Sequence, residues 1–229
     1  MASNQVAKPL GAITAIVAIA LAGMLVRSPR VQAQDDDDDR DSNDPRIEQG
    51  FDITPVHLDL DGKNRKLVGL GSYIVNAQGD CNGCHTNPEF ASGGNPYFLG
   101  QKKKIDPKTY LGGGVDFGSF GPGAPNIVSR NLTPDKTGRP EGGHSFAEFR
   151  QILRTGIDMD QLHPSCSATL TTNCLPPPFD GSRLQIMPWP TYQSMTDHDL
   201  RAIYEYLRAI PCVAGPPAPS PLHNDCDND

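Results

Sequence analysis

Residues 71–86 read GSYIVNAQGDCNGCHT, and the stretch ends on a pair of cysteines with a histidine directly behind it. Cys81 and Cys84 stand three positions apart, and His85 follows the second cysteine at once. Three chemistries use such a pattern: a covalent haem site, a dithiol redox pair, and half of a zinc site. The remainder of the chain has to distinguish between them.

The surrounding sequence favours covalent haem attachment. A dithiol redox pair follows a strand and opens a helix, whereas a helical pattern precedes this motif. A structural zinc site needs a second pair of ligands at similar spacing, and no such pair occurs. Two thiols on one short turn can reach both vinyl groups of a porphyrin, and the next imidazole can reach its iron. We therefore predict one covalent haem c on Cys81, Cys84 and His85; an incidental CxxCH in a disulfide-rich loop is the alternative.

The amino-terminal region predicts export. Lys8 precedes an apolar run at 10–26, and VQA at 31–33 supplies small residues for cleavage after Ala33. Residues 1–33 are therefore interpreted as a signal peptide, with an uncleaved membrane anchor as the alternative. Either way the protein is expected to be periplasmic or extracytoplasmic, where disulfides persist. The net charge of -7 argues against nucleic acid as a partner.

Three helices are predicted, at 63–78, 146–155 and 197–209. The second has a capping box at Ser145 and Glu148 and ends at Gly156, and the third has Thr196 as its cap. Residues 34–62 contain five consecutive aspartates at 35–39 and are predicted to be a disordered acidic linker. Residues 86–143 are rich in Gly and Pro and are expected to form loops with one short hairpin. The core is therefore small and mostly α-helical.

Four blocks together resemble a known family. GSYIVNAQGDCNGCHT at 71–86, NLTPD at 131–135, SFAEFRQILRTG at 145–156 and MPWPTYQSMTDHDLRAIYEYLRAIP at 187–211 are similar to monohaem c-type cytochrome domains. The greatest likeness is to the cytochrome subunits of bacterial membrane dehydrogenases, over residues 65–212. Those subunits often carry several such domains, whereas this chain has one CxxCH motif.

The resemblance implies a cytochrome c fold at 63–212, mostly α, with a few helices around one covalent haem and long Gly/Pro-rich loops. In that fold the first and last helices cross. Gly71 offers a place for close backbone approach, and Tyr204, Tyr206 and Leu207 offer large groups to pack there.

Met187 is the predicted second iron ligand. Pro188 and Pro190 stiffen its surroundings in an extended form, and the position matches the methionine of the family. His163 is the alternative and would give a lower-potential site. Met195 is assigned instead to a hydrophobic staple with Leu200, and Met159 lies in an acidic loop. Trp189 and Tyr192 are expected to shield the haem edge or to pack in the core.

Four cysteines remain after haem attachment. Cys166, Cys174, Cys212 and Cys226 allow three pairings, and proximity favours Cys166–Cys174 and Cys212–Cys226. The second pair would tie the proline-rich tail, residues 213–229, to the end of the last helix.

The predicted function is that of an exported monohaem c-type cytochrome that carries single electrons between redox protein partners. No catalytic acid, base or nucleophile pattern is identified, so the chain is interpreted as a carrier and not an enzyme. One alternative is a fixed electron-transfer subunit of a membrane dehydrogenase, oxidase or other respiratory complex. Another is a haem enzyme or gas sensor with an open iron site. The lysines at 102–104, with Lys108, suggest a docking patch for an acidic partner or simply a solvated loop.

Overall fold

The structure is a computed structural model that describes residues 43–119, 126–157, 159, 178–218, 220 and 222–226. Its helices, in chain order, are α1 Pro45–Ile53, α2 Arg65–Tyr73, α3 Cys81–His85, α4 Pro140–Gly143, α5 Phe146–Thr155, α6 Trp189–Tyr192 and α7 Asp197–Ala209. A π-helical turn, Ile74–Gln78, continues α2. Strands β1 (Asp116–Ser119) and β2 (Asn126–Val128) pair antiparallel. Among the described residues the chain is helical with one small two-stranded sheet, and this hairpin lies between 86 and 143, where a short hairpin was predicted.

Helices α2 and α7 cross at Gly71. A Cβ atom on Gly71 would lie 2.0 Å from the carbonyl oxygen of Ala202 and 2.7 Å from Cβ of Tyr206. No side chain fits between the two backbones, so only glycine permits this approach. Leu70 and Leu200 on the two helices are completely buried. The predicted close contact at Gly71 is confirmed, although Ala202 provides the nearest atoms.

The ends of α5 and α7 follow their capping residues. Ser145 and Glu148 form the reciprocal capping box, and Gly156 ends α5 in the left-handed region at φ 69°. The hydroxyl oxygen of Thr196 accepts a hydrogen bond from the Asp199 amide at 3.0 Å and so begins α7. Each cap satisfies an amide that has no partner inside its helix. Both helices have the predicted bounds.

The predicted disorder of residues 34–62 is wrong for its second half, because residues 45–53 form α1. Asp44 caps this helix by accepting from the Arg46 amide at 2.9 Å. Gly50 packs so closely on α2 that a Cβ atom there would lie 1.9 Å from the Gly69 carbonyl oxygen. Local capping and this glycine contact therefore outweigh the acidic composition that suggested a linker. The aspartates at 35–39 lie outside the described residues.

A buried polar network joins the residue after α1, the π-helical turn and α7. The hydroxyl of Tyr206 lies 2.9 Å from the Thr54 hydroxyl and 2.8 Å from the Tyr110 hydroxyl, and it accepts from Asn76 Nδ2 at 3.2 Å. Tyr110 also donates to Asn76 Oδ1 at 2.6 Å. Tyr206 and Tyr110 are fully buried, so each of these hydroxyls depends on the others for hydrogen bonding.

The carboxyl-terminal tail is fastened to the domain by a disulfide and by Asn224. Cys212 and Cys226, one of the pairs favoured by sequence proximity, form a disulfide with a Cα–Cα distance of 5.8 Å. Asn224 Nδ2 donates to the carbonyl oxygens of Thr133 and Pro134, both at 3.1 Å. Cys166 and Cys174 lie outside the described residues, as does the segment at 1–33. Across the described ranges, no helix is both long and apolar enough to cross a bilayer.

Candidate functional site

The cysteine motif forms its own short helix, α3, directly after the π-helical turn. Asp80 adopts a left-handed conformation at φ 46° and turns the chain into α3. Gly83 faces the Asp80 carboxylate, whose Oδ2 would lie 2.8 Å from a Cβ atom at that position. The Tyr192 hydroxyl donates to the Gly79 carbonyl at 2.8 Å and ties this turn to α6. The sequence between the cysteines is therefore folded as one compact turn.

His85 is buried and held by the backbone of another loop. Its Nδ1 atom donates to the carbonyl oxygen of Arg130 at 2.8 Å. Burial lowers the pKa of His85, so the neutral imidazole prevails. With Nδ1 as the donor, the lone pair is on Nε2, which is the state that a metal ligand requires.

Both motif cysteines lie outside any disulfide and line the same cleft as His85. Burial raises the pKa of Cys81 to about 12, and the carboxylate of Asp80 adds to that rise. Burial also raises the pKa of the more exposed Cys84. A redox-active dithiol needs a lowered thiol pKa, so these surroundings do not support the dithiol interpretation.

The cleft beside α3 is large and apolar. It encloses about 1100 Å³, including its open mouth. Its apolar walls come chiefly from the π-helical turn, α5 and α7: Ile74, Val75, Phe149, Leu153, Ile203 and Leu207. Two thiols and a neutral imidazole on the wall of such a cleft fit a large flat cofactor that is both covalently attached and iron-bearing.

Two methionines line this cleft. Met187 follows Ile186, whose φ of 68° is unusual for a β-branched residue. The Met187 amide donates a hydrogen bond to the Gln185 carbonyl at 2.7 Å. Met195, which the sequence analysis assigned only to a helix staple, lines the same cleft. The structure thus brings Met187 to the cleft that His85 lines, but it brings Met195 there as well. His163 lies outside the described residues, and Met159 is not among the cleft residues.

The two aromatic residues near Met187 have different surroundings. Tyr192 lines the cleft. Trp189 covers the end of α5, where a Cβ atom on Gly156 would lie 2.3 Å from its indole ring, and its Nε1 donates to the Leu184 carbonyl at 3.2 Å. Of the two expectations for Trp189, packing therefore describes the geometry better than shielding of the cleft.

Sequence reasoning missed two contributors to the site. The Arg130 carbonyl that orients His85 is a backbone atom, so no residue type in the sequence could identify it. The sequence placed Met195 one residue before the cap of α7 but carried no signal that α7 lines the cleft, to which it supplies Ile203 and Leu207.

The chain is similar in sequence to cytochrome subunits of bacterial dehydrogenases. It is 29% identical over 149 residues to the gluconate 2-dehydrogenase cytochrome c subunit of Pantoea cypripedii, a match that covers 64% of this chain and 24% of the relative. It is 31% identical over 152 residues to the cytochrome c subunit of the quinone alcohol dehydrogenase of Gluconacetobacter polyoxogenes, covering 66% and 23%. The fructose dehydrogenase cytochrome subunit of Gluconobacter japonicus is 29% identical over 161 residues, covering 69% and 24%.

The chain thus matches about a quarter of the length of each of these relatives. No protein-family model matches the sequence. No solved structure matches it either.

Proposed function

Because this chain is a relative of dehydrogenase cytochrome subunits and has a CxxCH helix on an apolar cleft, we propose that it is a monohaem electron-transfer protein with a cytochrome c fold. Cys81 and Cys84 would hold one haem c covalently, with His85 and Met187 as the iron ligands. The haem supplies a one-electron redox centre when bound. The chain would pass single electrons and would not itself act on a substrate.

One observation carries the proposal. The only CxxCH motif in the sequence lies on one helical turn at a large apolar cleft, with His85 fixed in its metal-binding tautomer by Arg130. An oriented neutral imidazole and a thioether on the same cleft are the two ligands that a His/Met iron site requires.

The protein groups around the cleft serve this function in three ways. The carbonyl of Arg130 orients the His85 ring through Nδ1 and keeps Nε2 available. The apolar side chains of the π-helical turn, α5 and α7 exclude water and so lower the local dielectric constant. A neutral thioether such as Met187 favours the reduced, less charged iron, which raises the reduction potential above that of a bis-histidine site.

The mobile-carrier and fixed-subunit alternatives differ in their partners. We favour an exported, extracytoplasmic carrier that exchanges electrons with redox proteins. The names of the relatives favour the alternative, an electron-transfer subunit held in a dehydrogenase complex. Size-exclusion chromatography of a native extract separates the two: a carrier elutes at the size of the free chain, and a subunit elutes with a dehydrogenase and its activity.

Haem attachment is tested on the expressed full-length chain. We expect a haem-stained band on a denaturing gel and one haem per chain by the pyridine haemochrome assay, because two thioether bonds survive denaturation. The double variant Cys81→Ser/Cys84→Ser should lose the band. The matched control Cys212→Ser/Cys226→Ser, which also removes two cysteines, should keep it. A haem stain that the native chain loses on denaturation would contradict the proposal.

A further inference from the structure

Residues 89–106, which we call the apical loop, follow the cysteine helix and fold back on themselves. Three backbone hydrogen bonds close its base: Ala91 N to Lys104 O at 3.0 Å, Lys104 N to Gly94 O at 2.9 Å, and Asp106 N to Glu89 O at 2.9 Å. Phe90 and Ile105 form an antiparallel bridge across it. The backbone of the loop is therefore built to hold one shape, which fixes whatever stands at its apex.

The apex presents three consecutive apolar or aromatic side chains to solvent. Tyr97 is 87% exposed, Phe98 is 61% exposed and Leu99 is fully exposed. Asn95 fixes this turn, because its Oδ1 accepts from the Tyr97 amide at 3.0 Å and its carbonyl accepts from the Phe98 amide at 3.1 Å. Single exposed apolar residues are common on protein surfaces, whereas three neighbouring ones form a patch that marks an interaction surface.

The returning arm of the same loop is cationic. Lys102, Lys103 and Lys104 are all exposed, and they stand three to five residues beyond Leu99 in a chain of net charge -7. The apical loop thus combines an apolar tip with a concentrated positive charge on its flank. This combination matches a partner surface in which a layer of negatively charged groups covers a hydrocarbon interior.

We propose that the apical loop binds the surface of an anionic lipid bilayer, with residues 97–99 inserted and the three lysines at the headgroups. Lysine is depleted at protein–protein interfaces, whereas flexible cationic stems beside an aromatic tip suit headgroups and the interfacial zone. Tyr97 adds the amphipathic ring that favours this zone. The inference is independent of electron transfer, since it concerns only the loop and a lipid surface.

Insertion is measured with a tryptophan at the apex of the full-length chain. Leu99→Trp is mixed with vesicles of phosphatidylglycerol and phosphatidylcholine, prepared with or without brominated acyl chains. We expect brominated lipid to quench the added fluorescence, and Phe179→Trp, an exposed position outside the loop, to be quenched much less. This readout reports on the loop itself, so it remains valid if the apolar run at 10–26 also holds the chain on the vesicle.

The charge contribution is measured with a matched pair of double variants in the Leu99→Trp background. Lys102→Gln/Lys103→Gln should raise the lipid concentration needed for half-maximal quenching about 25-fold, because each lysine is expected to contribute about 5-fold to binding. Lys136→Gln/Arg139→Gln removes two exposed cations outside the apical loop and should change that lipid concentration little. Equal quenching at positions 99 and 179, or equal loss in the two double variants, overturns the proposal and leaves the surface of an acidic protein as the partner that the loop fits.

Discussion

The role of His85 depends on a single hydrogen bond to a main-chain atom. Because Nδ1 donates to the Arg130 carbonyl, the ring cannot rotate without losing that bond in a buried setting. The geometry constrains the choice of the second iron ligand less, because both Met187 and Met195 line the cleft. Comparison of these two methionines is therefore the sharpest test at the scale of single residues.

Replacement of Met187 by alanine should open the sixth iron position of the haem-loaded protein. We expect loss of the weak long-wavelength absorption band of a thioether-bound ferric haem, together with binding of carbon monoxide after reduction. Met187→His should restore six ligands and lower the reduction potential, because imidazole stabilises ferric iron more than a thioether does.

Met195→Ala is the matched control, since it removes the other methionine of the cleft. It should retain the absorption band and exclude carbon monoxide. The assignment of Met187 is wrong if Met195→Ala loses the band while Met187→Ala keeps it.

Sequence reasoning at this scale identified residues but not backbone acceptors. The order Cys81, Cys84, His85 is informative because covalent attachment demands those side chains at that spacing. The partner of His85 could not be foreseen, because any residue at position 130 offers the same carbonyl group. Met195 was missed because a staple residue and a cleft residue are both apolar and look alike in a sequence.

At the scale of helices, glycine contacts bring the elements together. Gly50 meets Gly69 between α1 and α2, and Gly71 meets Ala202 between α2 and α7. Helix α2 therefore has close-packed backbones on two sides, which explains why its residues 68–72 are buried.

Gly71→Ala should destabilise the protein by at least about 2 kcal/mol, since the added methyl group would overlap the Ala202 carbonyl and force the helices apart. Chemical denaturation monitored by circular dichroism measures the change. Gly62→Ala is the control: it has nothing within 4 Å and should cost about 1 kcal/mol through its left-handed backbone alone. Equal losses for the two variants would show that the α2–α7 crossing tolerates a side chain.

Tyr206→Phe should destabilise the protein by about 1–3 kcal/mol, because it leaves the buried Tyr110 and Asn76 groups short of a partner. Tyr204→Phe is a matched control on the same helix, where the hydroxyl only donates to the His144 carbonyl at 2.9 Å. We expect its free energy of unfolding to fall by about 1 kcal/mol. A Tyr206→Phe loss no larger than that of Tyr204→Phe would contradict the importance of the network.

The helices differ in how much of each could be predicted. Helices α5 and α7 have side-chain caps and clear stop signals, so their bounds could be read directly. Helix α1 has a cap at Asp44 too, but it lies beside an acidic run and is stabilised by contact with Gly69, which is distant in sequence. Tertiary contacts of this kind have no local signature.

At the scale of the whole molecule, the tail after α7 closes back on the loop that follows β2. The disulfide and Asn224 both fix it, and Asn131 Nδ2 adds a bond to the Val213 carbonyl at 2.7 Å. The tail thereby braces residues 131–134, next to the Arg130 carbonyl that orients His85.

Removal of this disulfide in Cys212→Ser/Cys226→Ser should destabilise the protein by up to about 3 kcal/mol, the entropy of closing a loop of this length. Asn224→Ala, which removes only hydrogen bonds, should cost less than the double variant. Thermal unfolding of the haem-loaded proteins gives both values. Unfolding temperatures equal to that of the native chain would show that the tail contributes nothing to stability.

The Cys212–Cys226 bond also has a consequence for the order in which the protein matures. Six unreacted thiols can combine into 15 sets of three disulfides, whereas four can combine into only three sets of two. If Cys81 and Cys84 reacted with a prosthetic group before oxidation began, most of the possible mispaired disulfides could therefore no longer form. In a chain that reaches an oxidising compartment, the timing of cofactor delivery then governs the yield of correctly folded molecules.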